Sequence, residues 1–401
     1  MTRRLYYEDS HLRAFDAVVQ AVEERDGSIW ASLDRTAFYP GGGGQPSDRG
    51  TIEAHAVTEV AESNGSIWHR VDGPLGAGSS VSCTVDWPRR FDHMQQHTGQ
   101  HILSRAFVEL ASADTRSFHM GEEEVTIDVD HSGPAEDLLR AVEERASAIV
   151  WEDREVTTHV VPREEALRFP LRKPPDVEGL VRVVEIGAYD WSACGGTHVH
   201  RSGEVGLIAI LGTERYKGGT RVSFVAGRRA LRRLRQRSDI LRDACLEFTA
   251  GESDLLRAVR RLKEERNQLD RRIKPLVRES LEREAVRLLE EAPRGGNGPV
   301  VARALPERDP DEVGLLAGLI AGRGGIALLV SGGPSPRAHF CAPAGTISVG
   351  PLLGEICRRH GGRGGGRPES AQGTIPGDRV TAALQEALEA ALGSHEKGTV
   401  H

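Results

Sequence analysis

Two pairs of potential metal ligands stand out in the 401-residue sequence: His97 with His101, and Cys194 with His198. Residues four apart on a helix share one face, so both imidazoles of the first pair can reach one ion. The second pair stands in the segment CGGTH, whose two glycines disfavour a helix and let the backbone present the thiolate and the imidazole together. Three imidazoles and one thiolate are a ligand set that suits zinc.

The residues alone leave other interpretations of these pairs open. A lone His-x3-His or Cys-x3-His pair also arises by chance. Thr98 and Gly99 stand where the HExxH zinc proteases carry their glutamate and the residue after it, which disfavours a protease. We expect His93 to cap or pack near the start of its helix. The remaining histidines that form no comparable pair are expected at the surface: His11, His55, His69 and His131.

The surrounding patterns predict the elements that carry these ligands. FDHMQQHTGQHILSRAFVEL has apolar residues at helical intervals and no proline, which predicts a helix for the first pair. EVTIDVD alternates like a strand, and AEDLLRAVEERASAIVWED has the pattern of an amphipathic helix. Upstream of both, Gly-Ser pairs recur before apolar stretches, which predicts short strands in a small barrel or sandwich.

These patterns and the length predict an α+β protein of several domains. We expect an N-terminal small β-barrel in residues 1–90, an α/β domain with the metal site in residues 91–227, a helical connector in residues 228–292 and a C-terminal α/β domain in residues 298–401.

The connector has the features of a short, interrupted coiled coil or helical hairpin. Gly251 is expected to separate two helices, and Pro275 to kink or end the second one. Arg266 interrupts an apolar series at four- and three-residue steps. The apolar positions of this series are Leu255, Val259, Leu262, Leu269, Ile273 and Leu276.

Composition limits the class of protein. Hydrophobic residues are 38% and charged residues 28%, as in ordinary globular proteins. No apolar run approaches the ~20 residues of a membrane helix, and the N-terminus lacks the apolar core of a signal peptide, so we expect no membrane association. Five cysteines without a CxxC pair favour a reducing cytoplasm over a disulfide framework.

The net charge of −7 means that any RNA-binding charge must be local. One short segment concentrates arginine, and it forms either an RNA-binding patch or a solvated helix face. Its arginines are Arg228, Arg229, Arg232, Arg233, Arg235, Arg237 and Arg242.

A glycine-rich segment, LDRTAFYPGGGGQPSDRG, runs from a predicted strand into a turn. Because ordering four consecutive glycines carries an entropic cost, an ordered turn requires a closely approaching group or positive φ, and a flexible loop is the alternative. The flanking residues Phe38, Tyr39, Pro40, Gln45 and Pro46 favour the ordered turn. No Gly-Lys-Ser/Thr follows, so the segment is not a P-loop.

The motifs together resemble a known family. TAFYPGGGGQPSDRG, MQQHTGQHILSRAF, SFHMGEEEVTIDVD and CGGTHVHRSGEVG, in this order, are similar to the editing domain of alanyl-tRNA synthetases and of the free-standing AlaX proteins. GGRGGGRPESAQG resembles the DHH-associated C-terminal domain of the synthetases and of the long AlaX proteins. The resemblance covers about residues 30–376. Because the barrel begins almost at Met1, we expect the long editing protein without an aminoacylation domain.

The resemblance implies a cytoplasmic trans-editing hydrolase. It would cleave the ester of mischarged tRNA(Ala), chiefly with serine and secondly with glycine, and would hold one Zn²⁺ per chain. Residues 91–227 would be the editing domain and residues 298–401 the DHH-associated domain. A homodimer through the helical and C-terminal regions is expected. The alternative is a non-catalytic, zinc-stabilised tRNA-binding module.

The resemblance also assigns the site residues. Thr36 would recognise the substrate hydroxyl. Gln45 would line the pocket of the acceptor end, and Gln96 would lie beside the metal helix; both are placed with Thr36 in the catalytic site. The metal ligands would be His97, His101, Cys194 and His198. Substrate and tRNA contacts would come from Gly42, Gly43, Gly44, Arg363 and Arg367.

Overall fold

The computed structural model describes residues 1–333 and 336–393. The chain forms two compact units, Met1–Leu246 and Glu247–His401. The mixed α+β class is confirmed. The predicted C-terminal domain, residues 298–401, includes residues 334–335 and 394–401, which lie outside the described part. The four predicted domain boundaries stay predictions, since the compact units are larger than these domains.

The first unit begins with a closed barrel whose strands follow the order β2-β3-β7-β6-β5-β8. Two tight hairpins of the barrel turn through Asp26–Gly27 and Asn64–Gly65, where all four residues have positive φ. Asp-Gly and Asn-Gly suit such turns because both positions must adopt left-handed backbone conformations. The elements of this region are β1 Arg3–Arg4, α1 Leu5–Glu8, β2 Ala14–Arg25, β3 Ser28–Leu33, β4 Arg35–Thr36, β5 Gly50–Ile52, β6 His55–Ser63, β7 Ser66–Val71 and β8 Ser80–Val85.

A long helix and two small antiparallel sheets complete the first unit. The sheets have the strand orders β14-β15-β10-β9 and β11-β12-β13. Their elements are α2 Trp87–Ala111, β9 Thr115–Met120, β10 Val125–Val129, α3 Glu136–Trp151, β11 Val156–Pro162, α4 Arg163–Ala166, β12 Leu180–Ile186, β13 Asp190–Ala193, β14 Ile208–Tyr216, β15 Gly219–Ala226 and α5 Gly227–Glu247.

Helix α2 is the central element of this region, as its sequence pattern predicts. Asp86 caps its start by accepting a hydrogen bond from the Arg89 amide at 3.2 Å. The helix continues through Gly99, where a Cβ atom would lie 3.0 Å from the Ala226 side chain. Glycine therefore lets α2 approach the end of β15 closely, although it weakens the helix itself.

A buried ion pair joins α2 to the glycine-rich segment. The Arg90 guanidinium, which is fully buried, donates to both carboxylate oxygens of Asp48 and to the backbone carbonyl of Ser10 at 2.9 Å. Asp48 in turn accepts a hydrogen bond from the Tyr39 amide at 2.7 Å, and its own amide donates to the Tyr39 carbonyl at 3.0 Å. The two ends of the segment 39–48 are thereby fixed to each other and to α2.

The second unit contains a six-stranded sheet of order β16-β17-β18-β19-β21-β20. The end of α6 packs with α7 in one apolar cluster, while α8 and α9 contribute to another. The elements are α6 Leu255–Glu291, β16 Arg294–Gly295, β17 Gly298–Leu305, α7 Pro310–Ala321, β18 Ile326–Ser331, β19 Arg337–Cys341, α8 Val349–Arg359, β20 Arg363–Arg367, β21 Ser370–Thr374 and α9 Val380–Leu392. Among the described helices, none has the length and apolar character needed to cross a membrane.

The structure excludes one of two alternatives and corrects one expectation. Helix α6 does not end at Pro275 but continues to Glu291, and the alternative of a kink at Pro275 stays a prediction. A proline removes one backbone donor, and a helix of 37 residues keeps enough of its other hydrogen bonds to continue. His69 is fully buried instead of lying at the surface, whereas His93 is buried as expected. The alternation of β7 places His69 on the same face as the buried side chains of Ile67 and Val71.

His69 is held by two hydrogen bonds inside the barrel. Its Nδ1–H donates to the Ala31 carbonyl at 3.0 Å, which leaves Nε2 to accept from the Thr36 hydroxyl at 2.9 Å. Burial disfavours the charged imidazolium and lowers the pKa of His69 to about 4.

This buried histidine predicts a pH-dependent stability. Below pH ~6.5 the imidazole of His69 binds a proton in the unfolded chain but stays neutral in the folded protein. The free energy of unfolding therefore falls as the pH drops. His69→Gln can keep both hydrogen bonds without titrating. In urea unfolding, we expect the wild type to lose about 2 kcal/mol more than this variant between pH 7.5 and pH 5. Equal losses in both proteins would contradict the buried neutral imidazole.

Candidate metal centre and its cavity

The four predicted metal ligands converge in the structure. Helix α2 supplies His97 and His101 on successive turns, and the segment after β13 supplies Cys194 and His198. Their ligand atoms all lie within 4.8 Å of one another. The Cys194 Sγ atom lies 3.4 Å from Nε2 of His97 and 3.4 Å from Nε2 of His198.

Each imidazole is oriented by a hydrogen bond at its other nitrogen. These bonds involve Nδ1 in all three rings, so each Nε2 is left for the common centre. Such bonds fix the tautomer and the ring orientation of histidine ligands in metal sites. The three contacts are His97 with Gln45 Oε1 at 2.7 Å, His101 with Asp190 Oδ2 at 3.1 Å, and His198 with Thr98 Oγ1 at 3.1 Å.

The turn that carries Cys194 depends on glycine and on a buried arginine. A Cβ atom at Gly196 would lie 2.2 Å from the His97 ring, so only glycine fits beside this ligand. Arg182, which is almost fully buried, donates to the carbonyl oxygens of Cys194 and Gly196 at 2.8 Å and 2.9 Å. These contacts hold the CGG backbone against α2.

The electrostatics of the centre favour an anionic thiolate. Burial raises the pKa of the Cys194 thiol, but its electrostatic interaction with the neighbouring imidazoles of His97 and His198 and hydrogen bonds from His101 and His198 hold this pKa well below its ordinary value. Burial lowers the pKa of His198 to about 3, so this imidazole is neutral. Thiolate and neutral imidazole are the protonation states in which these side chains bind a metal.

Asp190 also keeps its charge inside the protein. Burial raises the pKa of its carboxyl, but Arg172 and His101 together hold the pKa below its ordinary value. The Arg172 Nε atom lies 2.5 Å from Asp190 Oδ1. Asp190 can therefore remain ionised while it accepts the hydrogen bond from His101.

The donor set fits a zinc ion. Three imidazole nitrogens and one thiolate are ligands that zinc binds in proteins. The ligand atoms already lie close together, and the histidine rings are fixed by their second hydrogen bonds. The metal would be held by these four side chains.

The glycine-rich segment forms an ordered turn beside the centre. Gly41 to Gly44 all have positive φ, and Gly42 and Gln45 exchange two backbone hydrogen bonds of 3.0 Å. The Tyr39 hydroxyl donates to the Gly42 carbonyl at 2.9 Å. The turn is therefore held in a conformation that glycine adopts without steric cost.

A cavity of about 460 Å³ opens between this turn and the metal centre. Three of the four ligands, His97, His101 and Cys194, are in its wall, whereas His198 is not. Gly41, Gly42 and Gly43 form another part of the wall. Other polar and aromatic wall residues include Arg4, Tyr7, Tyr39, Glu62, Gln100, Arg116, Arg172 and Lys173.

Gly44 has a different position from the one expected. It is not in the cavity wall, and a Cβ atom there would lie 2.5 Å from the Phe118 carbonyl oxygen. Its own carbonyl accepts a hydrogen bond from the Met120 amide at 3.0 Å. Gly44 therefore allows the turn to pack against β9.

Gln45 contacts a ligand of the metal centre but does not face the cavity. Its Oε1 atom contacts His97, and it also accepts from the Thr197 amide at 3.1 Å. Its Nε2 atom donates to the Thr197 hydroxyl at 2.8 Å. Gln45 is buried and is not in the cavity wall, and the expectation that it lines the acceptor-end pocket stays a prediction. In this structure it positions a ligand.

Gln96 points away from the metal centre. Its amide donates to the Ala226 carbonyl at 2.9 Å and accepts from the Ala226 amide at 2.8 Å. Neighbouring positions on a helix face different directions, so Gln96 pairs with the end of β15 while His97 reaches the metal centre. These bonds give Gln96 a structural role, and its catalytic assignment stays a prediction.

Thr36 lies in the barrel interior and not in the cavity wall. Its hydroxyl donates to His69, as described above, and accepts from the Phe38 amide at 3.0 Å. These bonds leave one acceptor site on the hydroxyl oxygen. The recognition of a substrate hydroxyl by Thr36 stays a prediction.

Arg363 and Arg367 lie on the exposed strand β20 of the second unit. The glycines between them serve packing, because a Cβ atom at Gly364 would lie 2.7 Å from the Cys357 sulfur of α8. This segment is therefore an ordered strand and not a glycine linker. The predicted phosphate contacts of the two arginines stay a prediction.

The residues that support the ligands were not predicted from the motifs. Asp190 and Arg182 lie in the strands around the CGGTH turn, and Thr98 lies beside His97. A charged or hydroxyl residue next to a ligand motif is a signal for such a role, because metal-bound histidines need a second partner. Which of several nearby polar residues takes this role depends on the packing of the strands against α2.

The hydrogen bond from His97 to Gln45 predicts an effect on metal affinity. For Gln45→Ala, we expect zinc affinity to fall about 10–100-fold, because His97 loses the group that fixes its ring. Competition with a chromophoric chelator measures the affinity. Gln100→Ala is the matched control, since Gln100 donates to Ser104 Oγ at 2.7 Å and orients no ligand. Equal affinities of the two variants would refute the positioning role.

Comparisons with known proteins agree with the motifs. Residues 181–223 match the family model of the threonyl and alanyl tRNA synthetase second additional domain. Residues 297–393 match the model of the DHHA1 domain. The solved C-Ala domain from Aquifex aeolicus alanyl-tRNA synthetase gives a TM-score of 0.24 at 18% sequence identity, over 26% of this chain and 98% of that chain.

Two kinds of full-length relative are similar to this chain. The alanine–tRNA ligase of Methanopyrus kandleri is 34% identical over 93% of this chain, but this chain spans only 42% of the ligase. The alanyl-tRNA editing protein AlaX-L of Pyrococcus horikoshii is 32% identical over 98% of this chain and 98% of its own length. Similarity over the whole length of both proteins shows that this chain belongs to the AlaX alanyl-tRNA editing family, in its long form.

Proposed function

We propose that this protein is a cytoplasmic trans-editing hydrolase that removes wrongly attached serine, and secondly glycine, from tRNA(Ala). The observation that supports it most is the cavity whose wall combines two imidazoles and a thiolate with a glycine turn. A metal held at the wall of a cavity is within reach of a substrate bound in that cavity. Membership of the alanyl-tRNA editing family supports the same substrate class.

The proposed cofactor is one zinc ion per chain, held by His97, His101, Cys194 and His198. When bound, zinc polarises a carbonyl or lowers the pKa of a water molecule. The residues of the chain fix the site for this chemistry. Gln45, Asp190 and Thr98 hold the imidazoles in position through the hydrogen bonds given above.

The proposed reaction is hydrolysis of the aminoacyl ester. The water oxygen forms a bond to the carbonyl carbon, the bond from this carbon to the ribose oxygen breaks, and the ribose oxygen receives a proton. The glycine turn supports this proposal because Gly41, Gly42 and Gly43 have no side chains that would keep the acceptor end of a tRNA from the metal centre. Asp190 is already paired with His101 and Arg172, so we do not propose it as the general base.

The selectivity of the proposed enzyme has a physical basis. The apolar amino-acid pocket of a synthetase separates amino acids that differ by one small group by only about 10²-fold. A second step, which hydrolyses the wrong ester after attachment, is therefore needed. A site that hydrogen-bonds the serine hydroxyl can reach ~10⁴–10⁵-fold discrimination. We propose that the free acceptor site of Thr36 contributes such a bond. This assignment requires the substrate to reach a hydroxyl that is buried in the free protein.

A non-catalytic, zinc-stabilised tRNA-binding module is the alternative. Four protein ligands fill a tetrahedral shell, which is typical of structural zinc sites. The exposure of three ligands to the cavity favours the hydrolase instead.

The proposed activity leads to a direct prediction. The purified protein should deacylate Ser-tRNA(Ala) at least 100-fold faster than Ala-tRNA(Ala), because an editing enzyme must leave correctly charged Ala-tRNA(Ala) intact. Cys194→Ala should lose zinc and activity together, since it removes the only thiolate of the site. Cys245→Ala, which removes a cysteine from α5, should retain both. Tight tRNA binding without ester cleavage at saturating zinc would favour the alternative module.

The exposed apolar series of α6 supports a proposed homodimer. Its side chains are 40–64% exposed, which is unusual for a regular apolar stripe on a helix. A second copy of the helix could cover this stripe as in a coiled coil. The members are Val259, Leu262, Leu269, Ile273 and Leu276.

The dimer proposal predicts the effect of a charge in this stripe. Leu269→Asp with Ile273→Asp should convert a dimer to a monomer at micromolar concentration, because two buried charges would face the partner helix. Multi-angle light scattering measures the mass. Leu180→Asp, at an exposed leucine of β12, is the control and should leave the mass unchanged. A monomeric wild type would refute the dimer.

A further inference from the structure

A second cavity lies in the first unit, on the side of the start of α2. Its volume is about 740 Å³, and it is formed by α2, by the turn between β9 and β10 and by the start of α5. We call it the arginine groove. Its wall consists of Pro46, Pro88, Arg89, Asp92, His93, Gly121, Glu122, Arg228, Arg229, Leu231, Arg232 and Arg235.

The groove presents positive charge that the protein itself does not neutralise. Arg228, Arg232 and Arg235 lie at four- and three-residue steps on one face of α5, and all three are exposed. None of them forms an ion pair within residues 1–333 and 336–393. Arg89 contributes a fourth guanidinium from α2, which donates to the Ser47 carbonyl at 3.1 Å.

The acidic residues of the groove do not cancel this charge. Asp92 is bound by Arg229, whose guanidinium donates to both carboxylate oxygens at 2.7–3.0 Å. Glu122 is the other carboxylate in the wall. After the Asp92–Arg229 pair is set aside, four guanidinium groups face one carboxylate. Guanidinium groups bind phosphate oxygens through paired hydrogen bonds.

A buried histidine borders the groove. His93 is in the wall, yet it is only 3% exposed, and its buried Nδ1 atom has no hydrogen-bond partner among the described residues. Unsatisfied buried polar atoms are uncommon in folded proteins because they carry an energetic cost. The groove therefore borders an unsatisfied polar atom as well as unpaired guanidinium groups.

The groove is close to the metal centre along α2. His93 precedes His97 by four residues, which is about one helical turn and a rise of roughly 6 Å. The glycine turn connects the two cavities on the other side, since Gly43 lines one and Pro46 lines the other. A polymeric ligand whose end lies in the metal cavity could therefore continue into the groove.

We propose that the arginine groove binds consecutive phosphates of the RNA strand whose 3′ end enters the metal cavity. The proposal rests on the proposed function for the identity of this strand. Regularly spaced cations along a helix match the repeated charges of a nucleic-acid backbone. The start of α5 adds the partial positive charge of a helix N-terminus on the same side.

Two double variants of α5 test this assignment. Arg232→Ala with Arg235→Ala removes two groove arginines. Arg233→Ala with Arg237→Ala is the matched control, because these arginines line a different hollow with Leu211 and Ile240. Both variants remove the same charge from the same helix. Binding of uncharged tRNA(Ala) is measured by fluorescence anisotropy over a series of salt concentrations.

We expect the groove variant to weaken tRNA binding about tenfold at 0.1 M salt and the control to change it less than threefold. The slope of log K against log salt should become shallower by about 1.4–1.8 in the groove variant alone, since two phosphate contacts are lost. Equal losses in both variants would show a general charge effect and overturn the proposal. An unchanged affinity in the groove variant would also overturn it.

A small ester separates this proposal from the proposed function. Seryl-adenosine carries the ester without a phosphate chain, so the groove variant should cleave it at the wild-type rate. A reduced rate would show that the arginines act at the metal centre and would overturn the assignment of the groove. A wild-type protein that binds tRNA with the expected salt dependence but cleaves no ester would refute the hydrolase and leave the groove assignment standing.

Discussion

The buried ion pair of Arg90 and Asp48 is the constraint on which the site depends. Arg90 belongs to the metal helix, and Asp48 closes the glycine-rich segment, so the pair sets their relative position. Both side chains are almost fully excluded from solvent. Removal of one partner from such a pair leaves an unpaired buried charge, at a cost of about 3–5 kcal/mol. The two walls of the metal cavity are therefore fixed before any ligand binds.

The metal centre follows from this arrangement through a chain of hydrogen bonds. Gln45, within the segment that Asp48 closes, contacts both His97 of α2 and Thr197 of the CGGTH turn. One amide thus joins three segments that are far apart in the sequence. Asp190 adds a second support from β13. Because each imidazole has a fixed partner, little reorganisation is needed for a metal to bind.

Much of the fold could be predicted from local patterns, and much of the site could not. The periodicity of residues 91–110 predicted α2, and the glycine turn was expected to be ordered with positive φ. The hydrogen-bond partners of Gln96 and the burial of His69 could not be predicted, for a related reason. Motif similarity and residue type do not say which way a side chain points. Because β15 packs against α2, Gln96 forms hydrogen bonds with Ala226, and because His69 lies on the inward face of β7, it is buried.

The sequence by itself determined the chemical type of the protein: two histidines one helical turn apart, a cysteine and a histidine around two glycines, and a glycine turn that only φ-permissive residues can form. These are local properties of spacing and backbone freedom. Tertiary structure decided which ligands face the cavity, that Gln45 supports a ligand, and that α5 arginines and His93 share one groove. Such properties require contacts between residues 52 to 152 positions apart, because burial and hydrogen-bond partners exist only after the chain has packed.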